Sequence, residues 1–288
     1  MTLADPGRPK PRPCSGISAG TRLACAAVIV LPSLLIGSAC GGDAQDASNG
    51  IESKPPEEVV ALAAKALEGV KSFHLESTDA TQGSISADVG LPQQLRLALK
   101  TKGRTASMLV AKGSFYMKGN EAFWKDSKGG AQAGEIADRW WRVPFSFAKD
   151  LAQALSPRVI SRCLTTGNGT LVRGGTAMVA GRRAVVIEDK GDRPGTAPAK
   201  VYVAATGAPL PLRLVTTGKQ RPGGRKHPEC GDDTPAEPGD VANLSNYNAP
   251  LEVSPPPGGG GHRQCHIALR RSPFSVCRRT SPSQHAAG

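Results

Sequence analysis

Apolar positions along this chain follow first a helical period and then an alternating one. After Pro55-Pro56-Glu57-Glu58, residues Val59, Leu62, Ala63, Ala66, Leu67 and Val70 recur at steps of three and four, while Lys65, Glu68 and Lys71 take the other face. Proline at the start and acids in the first turn, where the helix dipole favours them, mark a helix N-terminus. From Ser72 the period becomes two. Phe73 and Leu75 alternate with His74 and Glu76; Leu95, Leu97 and Leu99 alternate with Arg96, Ala98 and Lys100; Leu212 and Leu214 flank Arg213. Such alternation predicts antiparallel strands with one dry and one wet face.

Further strands are predicted over 105–110, 114–118, 122–125, 170–173, 184–188 and 200–204, with Lys118-Gly119-Asn120-Glu121 as a hairpin turn. Apolar Phe147, Leu151, Ala154 and Leu155 break the alternation, so a second short helix is expected over 146–155, ending before Pro157. The expectation is one α+β domain over 55–257, mostly sheet, with helices covering one face.

The first 39 residues are different. Arg22 precedes a run of fourteen uncharged, mostly apolar residues ending at Ile36, followed by Gly37-Ser38-Ala39-Cys40. A basic start, a short apolar run and small residues make an export signal, too short for a comfortable span of a bilayer, which needs roughly 20 residues. Small residues before a Cys resemble the lipobox of bacterial lipoproteins, in which the Cys thiol receives a diacylglyceryl group. The place three before Cys40 is Gly37, where that box usually has Leu, and Gly37-Ser38-Ala39 also suits ordinary signal peptidase. Lipidation at Cys40 is the reading adopted, with plain secretion as its alternative. Residues 40–54 then form a polar, flexible tether.

Compartment changes how the seven cysteines are read. Cys14 and Cys25 leave with the signal, Cys40 carries lipid, and Cys265 and Cys277 lie in the last 31 residues. Cys163 and Cys230 remain as an even pair in an oxidising location, which reads as one disulfide. A metal site built with His227 would lack a second ligand pair.

Charge adds less than the formal +12 suggests. Three net positive charges fall in 1–39 and five in 258–288, leaving four for a middle in which bases and acids are interspersed without a stripe. That argues against a nucleic-acid-binding surface. Arg221 to His227 is a small basic loop, read first as solvated loop charge and alternatively as a contact for anionic headgroups. Residues 258–288, acid-free and aperiodic, read either as a disordered basic tail or as the translation of a shifted reading frame.

The runs Ala66-Leu67-Glu68-Gly69-Val70-Lys71-Ser72-Phe73-His74-Leu75, Phe115-Tyr116-Met117-Lys118-Gly119-Asn120-Glu121-Ala122-Phe123-Trp124-Lys125 and Asp138-Arg139-Trp140-Trp141-Arg142-Val143-Pro144 resemble the LppX and LprG type lipoproteins of actinobacteria. Val179 to Ile187 and Leu210 to Leu214 occupy the places of two later strands of that family, and the resemblance covers roughly 52–257. It implies a curved antiparallel half-barrel like that of LolA, with helices across the concave side and acyl chains of lipids or glycolipids held between them.

On that reading the alternating apolar positions are cavity-wall candidates: Phe73, Leu75, Leu95, Leu97, Leu99, Val110, Phe115, Met117, Phe123, Val201, Val203, Leu212 and Leu214. Each also has an ordinary core reading. A charge at Leu97 is expected to abolish lipid loading without unfolding the sheet. Trp140 and Trp141 complete the set, one facing the cavity and the other the surface. No catalytic motif is present: no G-x-S-x-G, P-loop, H-E-x-x-H or G-x-G-x-x-G. The chain therefore reads as a non-enzymatic envelope protein without cofactor or metal, anchored through Cys40 at the outer face of the cytoplasmic membrane. It binds, or binds and carries, membrane lipid; the alternative is an anchored adaptor or sensor with a filled core that binds another envelope protein.

Overall fold

The computed structural model describes residues 47–79, 83–126, 133–224, 230 and 237–257. The export signal, Cys40 and the last 31 residues lie outside these.

Eleven strands form one open, curved antiparallel sheet in the order β6-β5-β4-β3-β2-β1-β11-β10-β9-β8-β7. The strands are β1 (Ser72–Asp79), β2 (Gly83–Gly90), β3 (Gln94–Thr101), β4 (Arg104–Ala111), β5 (Ser114–Gly119), β6 (Trp141–Val143), β7 (Leu171–Val179), β8 (Arg182–Asp189), β9 (Ala199–Ala204), β10 (Pro211–Thr216) and β11 (Val241–Ser245). Two meanders meet where β1 pairs with β11, in the register Leu75 to Leu244. The edges are β6 and β7, so the chain between them must cross from one side of the sheet to the other. It does so through α4 (Ser146–Ala154) and α5 (Pro157–Thr165). Helix α1 (Pro56–Glu68) packs against α5 and lies over β7 to β10.

Period-two alternation aligns the inner-face residues into cross-strand rows. Phe73, Val89, Leu95, Val110, Phe115 and Val143 lie opposite one another across six strands. With Val59, Ala63 and Leu67 of α1 they form the main core. Burying this much apolar surface, at roughly 25 cal/mol per Å², is what holds helices to sheet.

Several expectations change. Residues 48–54 are not tether: Ser48 bridges to Thr206, the Asn49 amide donates to Ala204 O and Gly207 O at 2.9 and 3.0 Å, and Ile51 is buried in a short 3-10 turn. Residues 122–125 are not a strand, because Asn120 caps a short helix α2 (Glu121–Trp124) by accepting from Phe123 N at 3.0 Å. A further turn, α3 (Ala133–Ile136), precedes β6. Pro157 starts a helix instead of only ending one, since Ser156 accepts from Val159 N and proline at the first helical position needs no N–H partner.

Candidate functional site

The two ends of the strands define two rims. The upper rim carries the turns β2–β3, β4–β5, β7–β8 and β9–β10; the lower rim carries β1–β2, β3–β4, β8–β9 and β10–β11. A cleft of about 330 Å³ lies toward the lower rim, beneath α1 and α5. Its floor is Ile187, Val201 and Leu214, which are cross-strand neighbours on β8, β9 and β10, and Val60, Leu164 and Leu171 supply the walls. A second recess of about 490 Å³ shares Val60, Asn168, Leu171 and Thr196 with it and extends to Glu57 and Arg193. The cleft volume is within the range of small-molecule sites, and its make-up of apolar floor and a few polar groups suits an amphipathic ligand.

Polar groups line the mouth and are largely occupied in building it. Asp189 accepts from Gly169 N at 3.1 Å and Gly191 N at 2.7 Å, and Asp192 accepts from Thr170 N at 2.7 Å. Hydrogen bonds from Thr170, first through its side chain, hold the Asp192 carboxyl below the usual carboxylate range. Gln220 donates to Gly195 O at 2.8 Å, and Arg193 to Asn168 O at 3.3 Å. These bonds tie the β8–β9 loop to the segment after α5 and, through Gln220, to the connection after β10. Cys163 on α5 and Cys230 are joined by a disulfide that lines the cleft.

On the other half of the sheet, the inner face toward the lower rim is incompletely covered. Leu75, Leu97, Met108, Met117 and Trp141 form one row, and Ile85 and Leu99 belong to the next. Of these, Leu97 is buried, whereas Leu75, Ile85, Leu99, Met108, Met117 and Trp141 are half-buried. The result is a continuous apolar surface presented by β1 to β6.

The sequence candidates therefore divide. Phe73, Leu95, Leu97, Val110, Phe115 and Val203 are buried in the core, while Leu75, Leu99, Met117, Val201 and Leu214 are half-buried on the same inner face. Leu212 faces outward: a bulge between Pro211 and Arg213 puts it out of phase, and it packs with Val179, Ala184 and Ala204 on the outer face. Phe123 is on α2, stacked edge-on against Trp124 at 5.3 Å. Trp140 packs outward with Ala111, Tyr116 and Val253, whereas Trp141 faces inward opposite Met117 and donates to Ile136 O at 2.9 Å. His74 lies on the outer face, 2.7 Å from Asp88, and the loop at 225–229 lies outside the described residues.

The fold is similar to that of LprF and LppX. LprF from Mycobacterium bovis matches with a TM-score of 0.48 and 17% identity over 73% of this chain and 99% of LprF. The Mycobacterium tuberculosis lipoprotein LppX matches with a TM-score of 0.43 and 15% identity over 69% of this chain and 97% of LppX. MucB follows with a TM-score of 0.33 and 15% identity, over 69% of this chain and 60% of MucB. No family model and no curated protein matches the sequence.

Sequence reasoning missed β2, β11 and α5, and with α5 one wall of the cleft. The residues Ser156-Pro157 held the signal for that helix. No cluster of three or more metal-ligating side chains occurs among the described residues.

Proposed function

We propose that this chain is an exported envelope protein, anchored through a lipid on Cys40, that binds acyl chains of a lipid or glycolipid between its sheet and helices. The observation that carries this reading is the cleft under α1 and α5, whose floor is Ile187, Val201 and Leu214 and whose polar groups stand at the mouth. An acyl chain entering it gains about 0.8 kcal/mol per buried methylene. The half-buried inner surface of β1 to β6 offers the same chemistry to a second chain. The carboxylates at the cleft are held by loop amides, which supports a binding role over catalysis.

The adaptor reading has its own support in the row from Phe73 to Phe115, whose side chains are buried in the main core. One experiment separates the two. The chain is expressed with its export signal in an actinobacterial host, purified, and analysed by native mass spectrometry with organic extraction. Bound diacyl or triacyl lipid at defined stoichiometry supports the lipid-binding reading. A lipid-free mass that stays unchanged after incubation with host envelope lipids overturns it in favour of a protein partner.

A further inference from the structure

We infer that the upper rim is a membrane-docking surface, seated on the anionic leaflet that holds the Cys40 lipid. The inference rests on the proposed lipidation for the tether, and on the rim itself for the contact.

Two large apolar side chains stand out as exposed among the described residues: Leu91 at 48% and Met178 at 65%. Both are at the upper rim. Leu91 directly follows β2 in the β2–β3 turn, and Met178 is the penultimate residue of β7 before the β7–β8 turn. Isolated apolar side chains at a surface are ordinary. Here both sit on the rim to which the chain from Cys40 is attached, Met178 on the edge strand two places from β9 and Leu91 beyond β1 on the other half of the sheet.

That arrival is fixed by hydrogen bonds. Asn49 N donates to Ala205 O at 2.9 Å, the Asn49 side chain spans Ala204 O and Gly207 O, and Ser48 bridges to Thr206, all at the β9–β10 turn. Seven residue steps separate Cys40 from Ala47, a reach of at most about 25 Å when fully extended. The rim is thus held close to the bilayer whatever path those residues take.

Charge at the rim has the sign that phosphate headgroups require. Lys71 before β1, Lys112 in the β4–β5 turn, and Arg182 and Arg183 after the β7–β8 turn lie here. Of the acids at this end, Glu52 is paired with Arg183 at 2.7 Å and Asp88 with Arg96 at 3.2 Å, Glu68 at the end of α1 accepts from Ser161 at 3.2 Å, and Glu252 is exposed, which leaves Lys71, Lys112 and Arg182 as the cations that face outward. Two apolar side chains among basic residues, on a short tether, match the interface between headgroups and acyl chains. The cleft lies toward the opposite rim, so a domain seated this way turns its binding site away from the bilayer that anchors it.

The test uses the full chain recovered from membranes and reconstituted into vesicles of phosphatidylcholine and phosphatidylglycerol carrying bromine on their acyl chains. Tryptophan is introduced singly by Leu91→Trp, Met178→Trp or, at the lower rim, Lys219→Trp; the three native tryptophans are a constant background. Expected is a loss of the added emission at positions 91 and 178 but not at 219, weakened when phosphatidylglycerol is omitted or salt is raised. Positions 91 and 178 quenched no more than 219 would overturn the proposal. The intact mass of each sample reports the Cys40 lipid separately. Quenching without that lipid keeps the rim and removes the anchor; lipid without quenching keeps the anchor and removes the rim; absence of both removes both.

Discussion

Leu212 and Leu214 lie on opposite faces of the sheet although only Arg213 separates them. Leu214 pairs with Val201 over the cleft, while the bulge at Pro211 to Arg213 turns Leu212 out toward Val179, Ala184 and Ala204. A bulge inserts one residue and shifts the phase of the alternation, so two positions that read as one face in sequence are divided. Leu212→Ala should therefore lower stability by about 2 to 5 kcal/mol, as buried leucine truncations do, and leave lipid loading of the folded protein unchanged. Denaturant unfolding and extracted lipid content, measured on the same preparation, check both halves.

Placement also decides where a charge tests binding. Leu97 is 4% exposed in the main core, so Leu97→Asp buries a carboxylate without a partner and should unfold the domain instead of only emptying it. Val201 is half-buried on the cleft floor. Val201→Asp should keep the cooperative thermal transition and lose bound acyl chains. Retention of lipid by that variant would remove the cleft from the binding surface.

The sheet is readable because inner-face alternation is strong at the centres of β1, β3, β4 and β5, where Phe73 and Leu75, Leu95, Leu97 and Leu99, Met108 and Val110, and Phe115 and Met117 fall two apart. It was not readable in β2, whose Gly83-Ser84-Ile85-Ser86-Ala87-Asp88-Val89-Gly90 has few large side chains and owes its place to partners on both sides. The cleft was half readable. Val201 and Leu214 follow from alternation, but Leu164, Leu171 and Val60 meet them only because α5 and α1 cross the sheet, and that contact leaves no periodicity in the local sequence. Phe123 was lost to a competing local signal, the Asn120 cap.

The disulfide closes a separation of 67 residues and ties α5 to the segment beyond β10. In the chain-entropy account a loop of that size contributes on the order of 4 kcal/mol. Cys163→Ser combined with Cys230→Ser should lower the denaturant midpoint accordingly, and reductant should shift the parent protein but not the double variant. Because both sulfurs line the cleft, the double variant is also expected to hold lipid less tightly.

Two tryptophans make a matched comparison. Trp124 is buried and its Nε1 has no hydrogen-bond partner among the described residues, whereas Trp141 Nε1 donates to Ile136 O. An unsatisfied buried donor costs about 1 to 3 kcal/mol, while a satisfied one contributes about 1. Trp124→Phe should be neutral or stabilising despite its smaller ring, and Trp141→Phe should destabilise. Thermal melts of the two variants side by side decide this, and equal losses would contradict it.

Acid should loosen the segment that joins the domain to its anchor. The Ser48 hydroxyl, at 2.6 Å, and the Arg183 guanidinium, at 2.7 Å, hold the Glu52 carboxyl below its ordinary value of 4.5. A carboxyl held low in the folded state binds its proton more weakly there than in the unfolded chain. Its stabilising contribution is complete above pH 4.5 and is lost as pH falls through the lowered folded value. The pair is largely exposed, so the effect is within about 1 kcal/mol. Glu52→Gln should leave the acid limb of a stability profile shallower below pH 4.5 than in the parent. At neutral pH the same variant should speed amide exchange at Asn49 and Ile51, the residues that fix the chain at the upper rim. An unchanged acid limb would mean that Glu52 is not part of that attachment.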